Sequence, residues 1–300
     1  MSGSLAIAST KTYERTIDWP NSLERRFGNT AGSRAYDLFV PSGHAEVLLP
    51  LVVMLHGCSQ SSRDFAIGTG MDRIAEEHGF LVAYPDQPRS ANIAKSWNWF
   101  REGDQHRDRG EPSILAGLTR QVMEDFRVDP ARVYVAGLSS GGAAAAIMAS
   151  AYPDIFAAVG IHSGLASGSA GSMSEAFSVM RRGVSLRSSH ATHSVPTIVF
   201  HGDRDRTVSS LNGEQIFAQA RPDAEVTTSV VEGRSSGGMA YTQTVLTEAG
   251  TAWTSEHWVL QGAGHAWAGG NPVGSHTDPT GPDASREMAR FFMSHPMALN

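Results

Sequence analysis

Between Arg132 and Tyr152 the chain runs from a strand former through a glycine-rich turn into a helix former without any linker. Arg132-Val133-Tyr134-Val135-Ala136 is β-branched and aromatic, and the alanine-rich run from Ala143 to Tyr152 favours a helix that ends at Pro153. The turn between them is Gly137-Leu138-Ser139-Ser140-Gly141. Small residues flanking a serine permit a strained turn that holds the hydroxyl clear of the backbone, so Ser139 is the candidate nucleophile.

A G-x-S-x-G in this setting is the nucleophile elbow of the α/β-hydrolases, whose triad partners follow in the order Ser, then Asp or Glu, then His. The pentapeptide alone is weak in a chain with 31 glycines, so both partners have to be found downstream. Val195-Pro196-Thr197-Ile198-Val199-Phe200 reads as a buried strand leading into His201-Gly202-Asp203-Arg204-Asp205. A carboxylate at the carboxyl end of a parallel strand is where an open α/β sheet places its working residues. Asp203 and Asp205 compete for the role. The extra loop residues let Asp205 reach back toward a histidine, whereas Asp203 suits a turn cap; both can also pair with Arg204 and Arg206 at the surface.

A third run, His257-Trp258-Val259-Leu260-Gln261, opens into Gly262-Ala263-Gly264-His265-Ala266-Trp267. Of the 12 histidines, His265 is singled out as the base by its place after a strand and after both partners, on glycines that would let its loop move. An oxyanion hole needs two backbone amides, one from the residue after the nucleophile and one from the loop after an earlier strand. Ser140 supplies the first. The apolar run Pro50 to Leu55 leads into His56-Gly57-Cys58, whose Cys58 amide is the second candidate; its side chain also suits a small buried position. One such donor is worth ~3 kcal/mol of barrier.

Taken together, Leu51 to Gln60 (LVVMLHGCSQ), Trp97-Asn98-Trp99-Phe100, Arg132 to Gly142 (RVYVAGLSSGG), Phe156 to Leu165 (FAAVGIHSGL) and Gly264-His265-Ala266-Trp267 resemble the polyhydroxybutyrate (PHB) depolymerase family. That family is related to the feruloyl and acetylxylan esterases, and poly(aspartic acid) hydrolases are similar to it. The resemblance runs from about Arg34 to His295. It implies an α/β-hydrolase fold and a serine hydrolase with Ser139, Asp205 and His265 as triad, Cys58 and Ser140 as oxyanion donors, and no cofactor. A polymer ester is the expected substrate, with a feruloyl or acetylxylan ester or the amide of a polyanion as alternatives.

Strands alternating with helices imply a mostly parallel sheet flanked by helices. Strands are expected at Arg34–Val40, Phe80–Tyr84 and Ala157–His162. Helices are expected at Met71–His78, closed by Gly79, and at Ile114–Phe126, Asn212–Ala220 and Asp283–His295. Tyr241–Thr247 and Thr254–Gln261 read as a hairpin. The 300 residues suit one catalytic domain over 27–297 behind an extension over 1–26. With 41% hydrophobic and 18% charged residues the composition is that of a compact soluble protein, and a net charge of -6 argues against nucleic acid. No apolar run reaches membrane-spanning length. Cys58 is the only cysteine, so no internal disulfide forms. Leu5-Ala6-Ile7-Ala8 is too short for a signal-peptide core. Polymer-degrading relatives are often exported, which makes an extracellular or periplasmic mature form the expectation and leaves the cytoplasm open. A homodimer would lengthen a polymer trench, though no pattern marks an interface.

Two features bear on substrate. Trp97, Trp99 and Trp267 lie near the expected site and offer flat apolar walls, or else belong to the core. From Ala176 through Gly202 there is no acidic residue, while Arg181, Arg182, Arg187, His190, His193 and His201 fall inside. This stretch is either an ordinary solvated surface or a basic rim that attracts a polyanion. His190 and His193 have metal-like spacing, but no third ligand accompanies them and no metal site is expected.

Overall fold

The computed structural model describes residues 21–43, 47–183 and 195–298. Ten strands form one sheet: β1 (Ser22–Asn29), β2 (Gly32–Phe39), β3 (Leu49–Leu55), β4 (Leu81–Pro85), β5 (Val128–Leu138), β6 (Ala158–His162), β7 (Thr197–Gly202), β8 (Val226–Arg234), β9 (Ala240–Glu248) and β10 (Thr254–Leu260). Their order is β1-β2-β4-β3-β5-β6-β7-β10-β9-β8. The six strands from β4 to β10 are parallel, and antiparallel pairs close both edges. A short parallel pair, β11 (Trp267–Ala268) and β12 (Thr277–Asp278), stands apart. Among the described residues seven α-helices accompany the strands: α1 (Ser62–Thr69), α2 (Met71–His78), α3 (Gly110–Asp125), α4 (Ser140–Ala151), α5 (Met173–Arg182), α6 (Leu211–Gln219) and α7 (Ala284–Met293). This is the α/β-hydrolase fold.

The central strands are apolar throughout because both faces are covered. Leu51, Val53 and Leu55 of β3 and Val133 and Val135 of β5 face a core that includes Leu118 of α3, Ala145 of α4 and Ile216 of α6. Val52, Met54, Tyr134 and Ala136 face the other way, toward Phe65, Ile74, Met288 and Phe292 of α1, α2 and α7. Each such side chain contributes roughly 1.5–3 kcal/mol when fully buried, so the period-2 alternation of the strands locks their register.

Local signals account for the helix limits. Ser61 caps α1 by accepting the Asp64 amide at 3.2 Å. Gly70 (φ 59°) ends α1 and Gly79 (φ 70°) ends α2, both left-handed. The sheet begins at Ser22, inside the stretch read as an amino-terminal extension, and pairs through Asn29 with β2. That strand is half polar (SLERRFGN) and escapes an apolar-run reading. The exposed β8 and the short α1 and α5 were likewise not expected. Among the described residues no helix is long and apolar enough to cross a membrane.

Candidate active site

The turn from β5 to α4 forces Ser139 to φ 57° and ψ −117°, a backbone that side-chain-bearing residues rarely adopt and that costs of order 1–3 kcal/mol. Its surroundings hold it there. The Ser139 amide donates to His162 O and its carbonyl accepts the Ala143 amide, both at 2.9 Å. Gly137 and Gly141 are required by space: a Cβ on Gly137 would meet Leu55 O at 2.7 Å, and one on Gly141 would meet His56 O at 2.6 Å and press harder still on Leu55 O. Two glycines therefore let β5, α4 and β3 close around the serine.

Ser140 opens α4, so its amide has no intrahelical acceptor and lies at the positive end of the helix dipole. Cys58 sits in a turn clamped by Gln60, whose Oε1 accepts the Gly57 amide at 2.8 Å and whose Nε2 donates to Asp64 Oδ2 at 3.0 Å. The Ser59 amide donates to Ala94 O at 2.8 Å, and the Cys58 thiol turns to the same carbonyl at 3.2 Å. Burial pushes that thiol up, which suits a group acting through its backbone. Among the described residues neither the Cys58 nor the Ser140 amide donates to a protein acceptor. His56 beneath them is buried and pushed down to about 4 by burial. It therefore stays neutral, with Nε2 accepting the Gln87 amide at 3.0 Å.

Asp205 and His265 come together: His265 Nδ1 donates to Asp205 Oδ2 at 2.6 Å. The carboxylate side chain is fully buried and the imidazole 14% exposed. Asp205 Oδ1 accepts the Thr207 amide at 2.8 Å and the Val208 amide at 2.9 Å. Burial alone would raise the Asp205 carboxyl, but the hydrogen bond and charge of His265, the Val208 amide and His201 outweigh it and hold it below the usual range. Asp203 is exposed and accepts the Gly262 amide at 2.6 Å, which ties the acid loop to the base loop. The base loop is anchored on both sides of His265. The Arg204 amide donates to Ala263 O at 3.0 Å and the Trp267 amide donates to His276 O at 2.7 Å.

The three tryptophans are buried. Trp97 is fully buried and gives its indole N–H to His56 O at 3.0 Å. Trp267 gives its own to Ser285 Oγ at 3.0 Å and packs edge-on to Phe65 at 5.4 Å. Trp99 is 6% exposed and lies in a cluster with Phe100, Ala143, Ile147 and Val208. Large aromatic rings gain most by burial, and each of these supports a site loop from behind. Arg181 and Arg182 stand exposed at the end of α5, where a cation suits the helix dipole. His201 belongs to no basic rim; it is buried with Nε2 3.6 Å from Asp205 Oδ2. Arg187, His190 and His193 lie outside the described residues. Among those described, no group of three His, Cys, Asp or Glu side chains is arranged to hold a metal ion.

Sequence reasoning assigned no role to Gln60, His162 or the buried Glu111. Glu111 accepts Arg34 Nη2 at 2.9 Å and the side chain and amide of Asn98, each at 2.7 Å. Beside it a polar cavity of about 670 Å³ is lined by Arg26, Arg34, Asp86, Asn98, Arg101 and Asp104. The segment along its wall continues to Ala94, which packs on Cys58.

The sequence profile described as Esterase PHB depolymerase matches residues 34–223. The chain is 32% identical over 227 residues to poly(3-hydroxyalkanoate) depolymerase C of Paucimonas lemoignei, covering 72% of this chain and 53% of that one. It is 29% identical over 170 residues to acetylxylan esterase A of Talaromyces purpureogenus, covering 55% and 44% respectively. The chain thus spans about half the length of these relatives. An acetyl xylan esterase structure from Aspergillus awamori superposes with a TM-score of 0.65 at 19% identity over 87% of this chain and 94% of that one, a likeness of fold.

Proposed function

The chain belongs to the esterase PHB depolymerase family, and on that premise we propose that it is a serine ester hydrolase with Ser139, His265 and Asp205 as nucleophile, base and orienting acid. The observation that carries this reading is the 2.6 Å hydrogen bond from His265 to a fully buried Asp205. Donation from Nδ1 leaves His265 Nε2 free to take a proton.

In the first step the Ser139 oxygen attacks the ester carbonyl and its proton passes to His265 Nε2. The developing oxyanion is held by the Cys58 and Ser140 amides, while the ionised Asp205 steadies the imidazolium without itself taking a proton. Collapse expels the alcohol, which receives the proton from His265. Water, deprotonated by the same imidazole, then attacks the acyl-serine and releases the acid. Neither step calls for a cofactor.

The substrate favoured by sequence similarity is a polymeric acyl ester of the poly(3-hydroxyalkanoate) type. A second reading, an acetyl or feruloyl ester on a hydroxyl-rich chain, is supported by the similarity to acetylxylan esterase A. Hydrolysis of a polyanionic amide draws support from Arg181 and Arg182, exposed at the end of α5, and none from His201, which is buried. The test is Ser139→Ala, expected to abolish both turnover and labelling by a serine-directed phosphonate with the fold intact. Retained hydrolysis by the purified variant would refute the triad. Parallel incubation with poly(3-hydroxybutyrate), acetylated xylan, a feruloylated sugar and poly(aspartic acid) ranks the substrates.

A further inference from the structure

His162, the last residue of β6, touches all three site loops from the inside of the protein. Its carbonyl accepts the Ser139 amide at 2.9 Å. Its Nε2 accepts the amide of Ala268, just past His265, at 3.0 Å. Its ring stacks on Phe200 of the acid-bearing strand at 5.8 Å and 12°, and on Trp267 of the base loop at 5.2 Å and 27°. Because Nε2 accepts, the proton resides on Nδ1, which donates to Ser163 Oγ at 3.1 Å.

We infer that His162 is a positioning residue that sets the His265 loop against the Ser139 elbow through its Nε2 acceptor, an inference that rests on the triad reading above. The base loop contains Gly262, at φ 79°, and Gly264, whose backbones have many conformations open to them. Other bonds tie that loop to the acid loop and to α7, but His162, which itself holds the Ser139 amide, joins it to the elbow. Displacement of a catalytic group by about 1 Å can cost ~100-fold in rate, so one lost acceptor here registers in turnover. Complete burial, together with the charges of His201 and His265, pushes the imidazole down to about 3. It therefore stays an acceptor even while His265 carries a proton.

The experiment compares His162→Phe, which keeps a flat ring for both stacks but lacks the acceptor, with His162→Gln, which restores an acceptor oxygen. The phenylalanine variant is expected to lose at least tenfold in kcat with KM within twofold of the parent, and phosphonate labelling of Ser139 should slow by the same factor. The glutamine variant should recover most of both. A folded phenylalanine variant within threefold of the parent kcat, or equal losses in the two variants, overturns the inference. If His162→Phe does not fold, His162→Gln decides, since it keeps an acceptor without the ring. A kcat within threefold of the parent at unchanged KM supports the role, and a tenfold or larger loss overturns it. Ser139→Ala keeps the two readings apart: turnover by that variant means the triad itself has failed, whereas its inactivity leaves the His162 result to be judged alone.

Discussion

His265 Nδ1 lies 2.6 Å from Asp205 Oδ2 across 60 residues of sequence. The bond fixes the imidazole tautomer, and an amide in place of the carboxylate would offer a donor as readily as an acceptor. Asp205→Asn is expected to lower kcat by roughly 10³–10⁴ with little change in KM, by analogy with triad acids in general. Asp203→Asn keeps an acceptor for the Gly262 amide, and steady-state kinetics should find its kcat within a few-fold of the parent.

Gly141→Ala is expected to fail to accumulate as folded protein, because its methyl group would press on the carbonyls of Leu55, at the end of β3, and of His56, which holds the Trp97 indole. Overpacking of this kind typically costs 1–3 kcal/mol, and backbone atoms as neighbours put it at or above the top of that range. Soluble yield and urea unfolding provide the measurement.

Trp267→Phe tests the assignment of the tryptophans to the core. It takes the indole donor at 3.0 Å from Ser285 Oγ, which still donates to Thr69 O at 2.8 Å, so a stability loss of about 1–3 kcal/mol is expected from the lost buried hydrogen bond and the smaller ring. KM for any ester should stay within twofold. A selective rise in KM without loss of stability would return Trp267 to the substrate wall.

Asp72 accepts the Tyr84 hydroxyl at 2.6 Å in a partly buried site, and desolvation raises its carboxyl to about 7. An acid whose folded pKa is raised binds more protons folded than unfolded between its unfolded value and about 7. Stability therefore falls with rising pH across that window and levels off above it. Asp72→Asn keeps the acceptor and removes the charge. Its stability gain should be larger at pH 8 than at pH 5 by about 2 kcal/mol, read from denaturant midpoints at the two pH values.

Glu111→Gln takes the carboxylate from a buried Arg34 at 2.9 Å. Breaking a buried pair from one side typically costs 3–5 kcal/mol, so a fall in thermal midpoint is expected, largest of the conservative substitutions considered.

What could be seen in the chain itself was whatever depends on near neighbours. The strand-turn-helix around Ser139, the glycine stop after His78 and the β9–β10 hairpin arise from steric and hydrogen-bonding preferences that act within a few residues. The order of Ser139, Asp205 and His265 added long-range information only because each followed a strand-like run. The half-polar β1 and the exposed β8 lacked the apolar run that marks a buried strand. The aromatic segments read equally as wall or core, since burial depends on what folds over them.

The sequence by itself determined the alternating strands and helices, the strained serine turn and the residues competent to be its partners. Only the tertiary structure brought Asp205 rather than Asp203 to His265, turned Trp97 and Trp267 inward, and set His162 between the loops. The reason is physical: turn chemistry is written in adjacent residues, whereas a hydrogen bond between distant loops exists only once the parallel sheet has aligned their ends.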